Sequence, residues 1–345
     1  MQSILRLFRV FGPMFFLRLG TVKKLNERST SGFYFTRVMV ALVNVGFLRA
    51  LIENSSVNLT AFATGESLDV DILRTLCDYL YELRILDRTG DDYSLSQDGR
   101  LMNEFLLGAF QVIYAYEEVF YNLEGLLKKQ KKYGMDVNRR GEFVARGSGT
   151  VGKLLAFPVM ADLIREHQYQ RVLDLGCGDA TFLMDLFERN PQLAGYGFDL
   201  SPDAIEAGNK NLAEKNLEQK ITLFVGDMFN IDEVAQQLPQ IDAATCVYVL
   251  HELVRINRQE TVQMLRKFRE SFPGVPLLIC EVIYHTPEAL REKPGGVMEI
   301  QLFHGLSNQQ LFSREEWHTL FKEAGFTNIH EDYLAQVRTA FFIIS

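Results

Sequence analysis

Cysteine is scarce in this 345-residue chain: four residues, Cys77, Cys177, Cys246 and Cys280, with no Cys-x-x-Cys pair among them. That density excludes a disulfide-stapled secreted domain, and the four read as reduced thiols of a cytoplasmic protein. There is no internal repeat and no low-complexity tract, and only nine prolines. No apolar run approaches the ~20 residues a membrane span requires. The most apolar N-terminal stretch, residues 4–19, is interrupted by Arg6, Arg9 and Arg18 and lacks a small-residue cleavage site, so it does not read as a signal peptide. It reads as a helix that packs on a partner subunit, the alternative being an interfacial helix with snorkelling arginines. Positive charge is not in excess either. Residues 1–150 carry 19 Lys/Arg against 17 Asp/Glu, the remainder 17 against 27, giving the net −8. An acidic C-terminal half repels phosphate backbones, which argues against a nucleic-acid substrate.

What the chain does have is 47% apolar residues, enough to bury a sizeable core, and a length that suggests two domains. Phe33 to Glu53 reads as one helix, with Val38, Leu42, Val45 and Leu48 at helical spacing. A short extended piece at Val57–Leu59 follows, then a brief helix capped by Thr60. A second helix is capped by Ser67 or Asp69 and shows Ile72, Leu73, Leu76, Leu80 and Leu83 on one face. Leu86 to Leu95, with Gly90 at its turn, reads as a hairpin. This is the element order of a winged helix. Its would-be recognition helix, however, opens Asp69-Val70-Asp71 and continues through Asp78, with only Arg74 to offset them. DNA phosphates would be repelled, so a transcription-regulating protein is the weaker reading and a dimerisation module the better one. Residues 101–165 read as aromatic-rich helices, and the basic run from Lys128 to Arg146 as a solvated face or a lure for an anionic substrate.

From Arg171 short apolar strands alternate with helices: 172–175, 194–200, 221–225, 243–250 and 277–284, with helices centred near 185, 209, 235 and 265. Non-alternating apolar strands between helices imply a parallel sheet covered on both faces. The tail adds a helix at 315–325 and a strand at 339–344, expected as an antiparallel edge. The first of these strands ends Asp174-Leu175-Gly176-Cys177-Gly178-Asp179-Ala180. Glycines after a first strand permit a tight turn and close approach of a ligand to the backbone. The neighbouring residues choose the ligand. Asp174 suits an ammonium and would repel a pyrophosphate. Asp199, beside Leu200 at the end of the second strand, is placed to accept from ribose hydroxyls. Asp227-Met228-Phe229, after the third, offers a carboxylate beside apolar residues for an adenine amino group and face. Together they favour S-adenosyl-L-methionine over a dinucleotide. His251 follows the fourth strand, on the edge where open α/β sheets bind ligands, and imidazole titrates near neutrality as a general base should.

With these residues in place, the sequence resembles the class I methyltransferases, and more narrowly the two-domain small-molecule O-methyltransferases. The resemblance spans nearly the whole chain: the winged-helix-like start, Asp-Leu-Gly-Cys-Gly, Gly-Asp-Met-Phe, and Val249-Leu250-His251-Glu252. It implies a Rossmann-like α/β sheet, mostly parallel with an antiparallel edge. It also implies an N-terminal helical winged-helix dimerisation domain (residues 1–105), connecting helices that contribute to the acceptor pocket (106–165) and a cofactor-binding catalytic domain (166–345). His251 then corresponds to that group's general base and Glu281 to a carboxylate that orients it. The group's third loop glycine is Ala180 here, and its second orienting carboxylate falls near Leu311.

A second constellation competes for the same histidine. His251, Glu252 and His304 make a two-His, one-carboxylate set of the type that binds non-haem iron. The C-terminal half resembles the iron-dependent phenylpyruvate C-methyltransferases in the segment around His304-Gly305-Leu306 and in Leu265 to Phe272-Pro273. The expectation carried forward is a cytoplasmic homodimeric methyltransferase acting on a small hydroxyl or enol acceptor. Its alternative is metal-assisted C-methylation of a 2-oxo acid.

Overall fold

The structure, a computed structural model, describes residues 30–293 and 297–345 and, nearer the N-terminus, residues 9, 10, 12, 18, 21 and 26. Leu5, Phe8, Phe15 and Phe16 of the expected N-terminal helix lie outside the described residues; Val10 lies within them and is exposed. Two compact units divide the chain, Met1–Gln111 and Val112–Ser345.

In the first unit the stretch read as one helix is two, α1 (Gly32–Asn44) and α2 (Phe47–Glu53), bent by 72°. The break falls at Gly46, whose φ of +78° is a left-handed conformation that glycine adopts without a Cβ clash. Strand β1 (Val57–Asn58), α3 (Leu59–Gly65), α4 (Val70–Glu82) and the hairpin β2 (Leu86–Thr89)–β3 (Asp92–Leu95) follow in the expected order. β3 lies between β1 and β2, antiparallel to both. Asn58, not Thr60, caps α3, accepting from the Ala61 N–H (3.0 Å), while Asp69 caps α4. Leu73, Cys77 and Leu80 of α4 are buried, but Ile72 and Leu83 of the expected apolar face are exposed. Arg74 is paired with Asp91 at 2.6 Å, so α4 offers phosphates little positive charge. Helix α5 (Gln97–Ala115) carries the chain into the second unit.

Helices α6 (Glu117–Tyr121), α7 (Leu123–Leu127), α8 (Gly141–Leu154) and α9 (Ala156–Glu166) precede the sheet. Its elements are β4 (Arg171–Leu175), α10 (Thr181–Arg189), β5 (Ala194–Asp199), α11 (Pro202–Lys215), β6 (Ile221–Val225), α12 (Ile231–Ala235) and β7 (Ala243–Val247). They continue with α13 (Leu250–Ile256), α14 (Arg258–Ser271), β8 (Leu277–Val282), α15 (Pro287–Glu292), α16 (Val297–Leu306), α17 (Arg314–Glu323), β9 (Ile329–Leu334) and β10 (Thr339–Ile344). The spatial order is β6-β5-β4-β7-β8-β10-β9. The chain winds outward from β4 through β5 to β6, then returns to β7 and β8 on β4's other side, all parallel. That reversal opens a crevice at the carboxyl ends of β4 and β7.

The antiparallel edge is a two-stranded hairpin, and the tail strand is its inner member. β10 reads Thr-Ala-Phe-Phe-Ile-Ile and pairs with both β8 and β9, as a run with almost no exposed residue must. The outermost β9, Ile-His-Glu-Asp-Tyr-Leu, is only partly buried, and its charged residues suit an edge. Two apolar layers cover the sheet's faces: Leu173, Phe198, Leu265, Phe268 and Trp317 belong to one, Phe157, Ile164, Leu186 and Phe341 to the other.

Candidate active site

The glycine loop leaves β4 at Leu175. Gly176 has φ +72°, and a methyl group added there would lie 2.7 Å from Met228 Cε and 3.1 Å from both Val249 methyls. Only glycine fits that crossing. Gly178, at φ +54°, faces open space on the side where a Cβ would stand, and its N–H donates to Asp199 Oδ2 (3.0 Å). Ser201 N–H donates to the other Asp199 oxygen (2.9 Å), which fixes that carboxylate against the loop. Asp174 is buried under the loop; Thr245 Oγ1 donates to it at 2.8 Å, and burial pushes its pKa up to about 7. Asp227 accepts from Phe229 N–H (2.9 Å), which starts a turn that buries Met228 beside Gly176. Leu200 is exposed. The strand ends thus bring the three aspartates to one edge, with an acidic, glycine-lined cradle that fits a molecule bearing an ammonium, ribose hydroxyls and an aromatic base. Asp174, Asp199 and Asp227 would hold those parts.

His251 sits in the first turn of α13 and is buried. Its Nδ1 lies 2.8 Å from Glu281 Oε2, and its backbone N–H donates to Glu281 Oε1 (3.3 Å). Glu281 is fully buried on β8, the neighbour of β7. Burial disfavours the imidazolium, yet the Glu281 charge and hydrogen bond outweigh it and raise the His251 pKa. The carboxylate fixes Nδ1 as a protonated nitrogen and leaves Nε2 facing His304. His304 Nε2 lies 3.3 Å from His251 Nε2, and His304 Nδ1 is bonded to the Ile300 carbonyl (2.7 Å). Burial, with the His251 charge beside it, lowers the His304 pKa to about 3, so this imidazole is neutral.

Glu252 does not join them. Its Oε1 accepts from Arg139 Nη2 (2.7 Å) and Gln309 Nε2 (2.8 Å). The expected His251, Glu252 and His304 ligand set therefore does not assemble, and among the described residues no three His, Cys, Asp or Glu side chains converge as metal ligands. The reason is local: adjacent residues on a helix diverge by about 100°, so a glutamate following a histidine is turned away from its neighbour's target.

Sequence reasoning missed Arg139, Tyr116 and Gln309. Arg139 Nη1 donates to Tyr116 Oη (3.0 Å), and Tyr116 in turn bonds Gln309 Oε1 (3.0 Å). Arg139 lay in a basic run read as a solvated face; only its partial burial and its pairing with Glu252 distinguish it from its lysine neighbours. Gln309 and Tyr116 belong to no motif and are recognisable only from contacts.

Residues 166–325 match the methyltransferase-domain family. Among curated relatives, the methyltransferase ungE' of Aspergillus campestris is 21% identical, covering 82% of this chain and 85% of its own. The 2-ketoarginine methyltransferase of Streptomyces arginensis is 25% identical, covering 85% and 86%. Of solved structures, mitomycin 7-O-methyltransferase MmcR superposes with a TM-score of 0.66 at 16% identity, over 95% of this chain and 98% of that one. Human N-acetylserotonin methyltransferase in complex with SAM gives 0.66 at 16%, over 94% and 97%. The protein is an S-adenosylmethionine-dependent methyltransferase with a class I catalytic domain on an O-methyltransferase-like fold. The resemblance to iron-dependent enzymes finds no counterpart in these matches.

Proposed function

We propose that the protein methylates a hydroxyl or enol oxygen of a small acceptor, with His251 as general base and Glu281 as the group that orients it. The observation that carries this reading is the buried His251–Glu281 pair at 2.8 Å, standing where the sheet's switch point opens. A base needs a fixed tautomer and a strengthened hold on the proton, and the Glu281 carboxylate favours both at His251. S-adenosylmethionine, when bound, supplies an electrophilic methyl that moves in line to the acceptor oxygen, leaving S-adenosylhomocysteine. His251 Nε2 takes the acceptor's proton as the new O–C bond forms. Neutral His304 is placed to accept a hydrogen bond from the protonated Nε2, which otherwise would face another lone pair at 3.3 Å. Most of the rate enhancement comes from positioning.

Two features bear on the acceptor. Arg139, paired with Glu252 and bonded to Tyr116, puts polar side chains in the wall near both histidines, which favours an acceptor with polar groups. The Streptomyces relative is named for 2-ketoarginine, and an enolisable ketone suits the enol arm of the proposal. We further propose that two copies pair through the N-terminal unit, where Phe33, Tyr34, Leu101, Phe105 and Leu106 are exposed.

The test is mass-spectrometric detection of a single added methyl on a panel of phenols, alcohols and enolisable keto acids. His251→Ala is expected to lower turnover by ~10²–10⁴-fold while S-adenosylhomocysteine still binds. Full activity in His251→Ala, or its complete loss on chelation with recovery on adding ferrous iron, would overturn the proposal.

A further inference from the structure

Tyr248, three residues before His251, has φ +58°. This left-handed conformation is one that bulky side chains rarely adopt, and such outliers persist only where the surroundings over-determine them. Up to this point the chain is regular: Val247 is in parallel register with Cys280, and Tyr248 N–H donates to the Cys280 carbonyl (2.9 Å). Immediately after it, Val249 caps α13, and its methyls press on the crossing point at Gly176. The chain has been turned out of the sheet, and His251 meets both oxygens of Glu281, one through its N–H and one through Nδ1. Had β7 continued as a strand, His251 would not begin a helix and could not make both contacts.

What holds the turn is the Tyr248 side chain. Its ring packs against the core layer containing Phe157, Cys280 and Phe341, with the Cys280 thiol and Thr339 beside its hydroxyl. Thr339 opens β10, the inner strand of the antiparallel hairpin.

We infer that Tyr248 is a positioning residue: its anchored ring holds a strained backbone turn that aims His251 at Glu281. This rests on the reading of His251 as the base. The decisive comparison is Tyr248→Ala with Tyr248→Gly. Both remove the ring, but only glycine removes the conformational strain as well. Tyr248→Ala is expected to lower kcat about 10-fold with S-adenosylhomocysteine affinity unchanged, and to lose the downfield proton resonance of the His251 Nδ1–H bonded to Glu281. Tyr248→Gly should recover most of both. Tyr248→Phe, which keeps the packing, should keep both. Equal losses in Ala and Gly variants, a wild-type resonance in Tyr248→Ala, or loss in Tyr248→Phe would each refute the inference. The resonance is read in the S-adenosylhomocysteine complex without turnover. It therefore reports the aim of His251 even if His251→Ala proves fully active and the base assignment fails.

Discussion

Asp174 gives the cofactor site a pH dependence that can be worked out from its surroundings. Its carboxyl is buried and, although Thr245 donates to it, burial raises its pKa to about 7. If it pairs with the ammonium of the methyl donor, binding favours the carboxylate, so complex formation must expel the proton whenever Asp174 is protonated. Affinity then scales with the ionised fraction of the free enzyme. For a pKa of about 7 that fraction rises roughly 25-fold between pH 5.5 and 7.5, and S-adenosylhomocysteine affinity should rise with it. The sign for stability without ligand is opposite. A carboxyl whose folded pKa lies above its unfolded value stabilises the fold at low pH, and that contribution fades as pH rises from about 4 through about 7. Titration calorimetry across that range, in buffers of different ionisation enthalpy, measures affinity and proton release together. Near pH 6 close to one proton should leave per molecule bound. Asp174→Asn should bind more weakly and with no such slope. A flat affinity profile with no proton release, or a slope that survives in Asp174→Asn, would refute the reasoning.

Other outcomes follow from the same geometry. Asp199→Ala should weaken S-adenosylhomocysteine binding by about 1–3 kcal/mol, the cost of unpaired polar groups, as read by calorimetry. Gly176→Ala meets Met228 at 2.7 Å at a positive φ, so it should lower cofactor affinity at least ~10-fold and depress the melting temperature. In Glu281→Gln the charge favouring the His251 imidazolium is gone, so the pH–rate limb due to His251 should move to lower pH and turnover should fall; an unmoved limb counts against the dyad. Sedimentation at micromolar concentration should show a dimer, and deleting residues 1–30 should weaken it; a clean monomer of the full chain would refute the pairing.

The sequence by itself determined the alternating strands and helices of the catalytic half, because parallel strands buried on both faces must be apolar throughout. It also placed Gly176, Asp174, Asp199, Asp227 and His251, because each stands at a strand end where spacing along the chain fixes its place on the sheet edge. The hairpin around Gly90 was legible for a similar reason: the turn conformation selects the residue. Contacts between distant segments were not legible. The bend at Gly46 was hidden because helical periodicity runs through it, and β9 escaped notice because an edge strand with His330, Glu331 and Asp332 lacks an apolar run. The fate of Glu252 is the clearest case. In sequence it stands beside His251 as a ready ligand; in the fold, Arg139 and Gln309, 113 residues before it and 57 after, claim its carboxylate. A helix sends neighbouring side chains in different directions, and only tertiary packing decides what each of them meets.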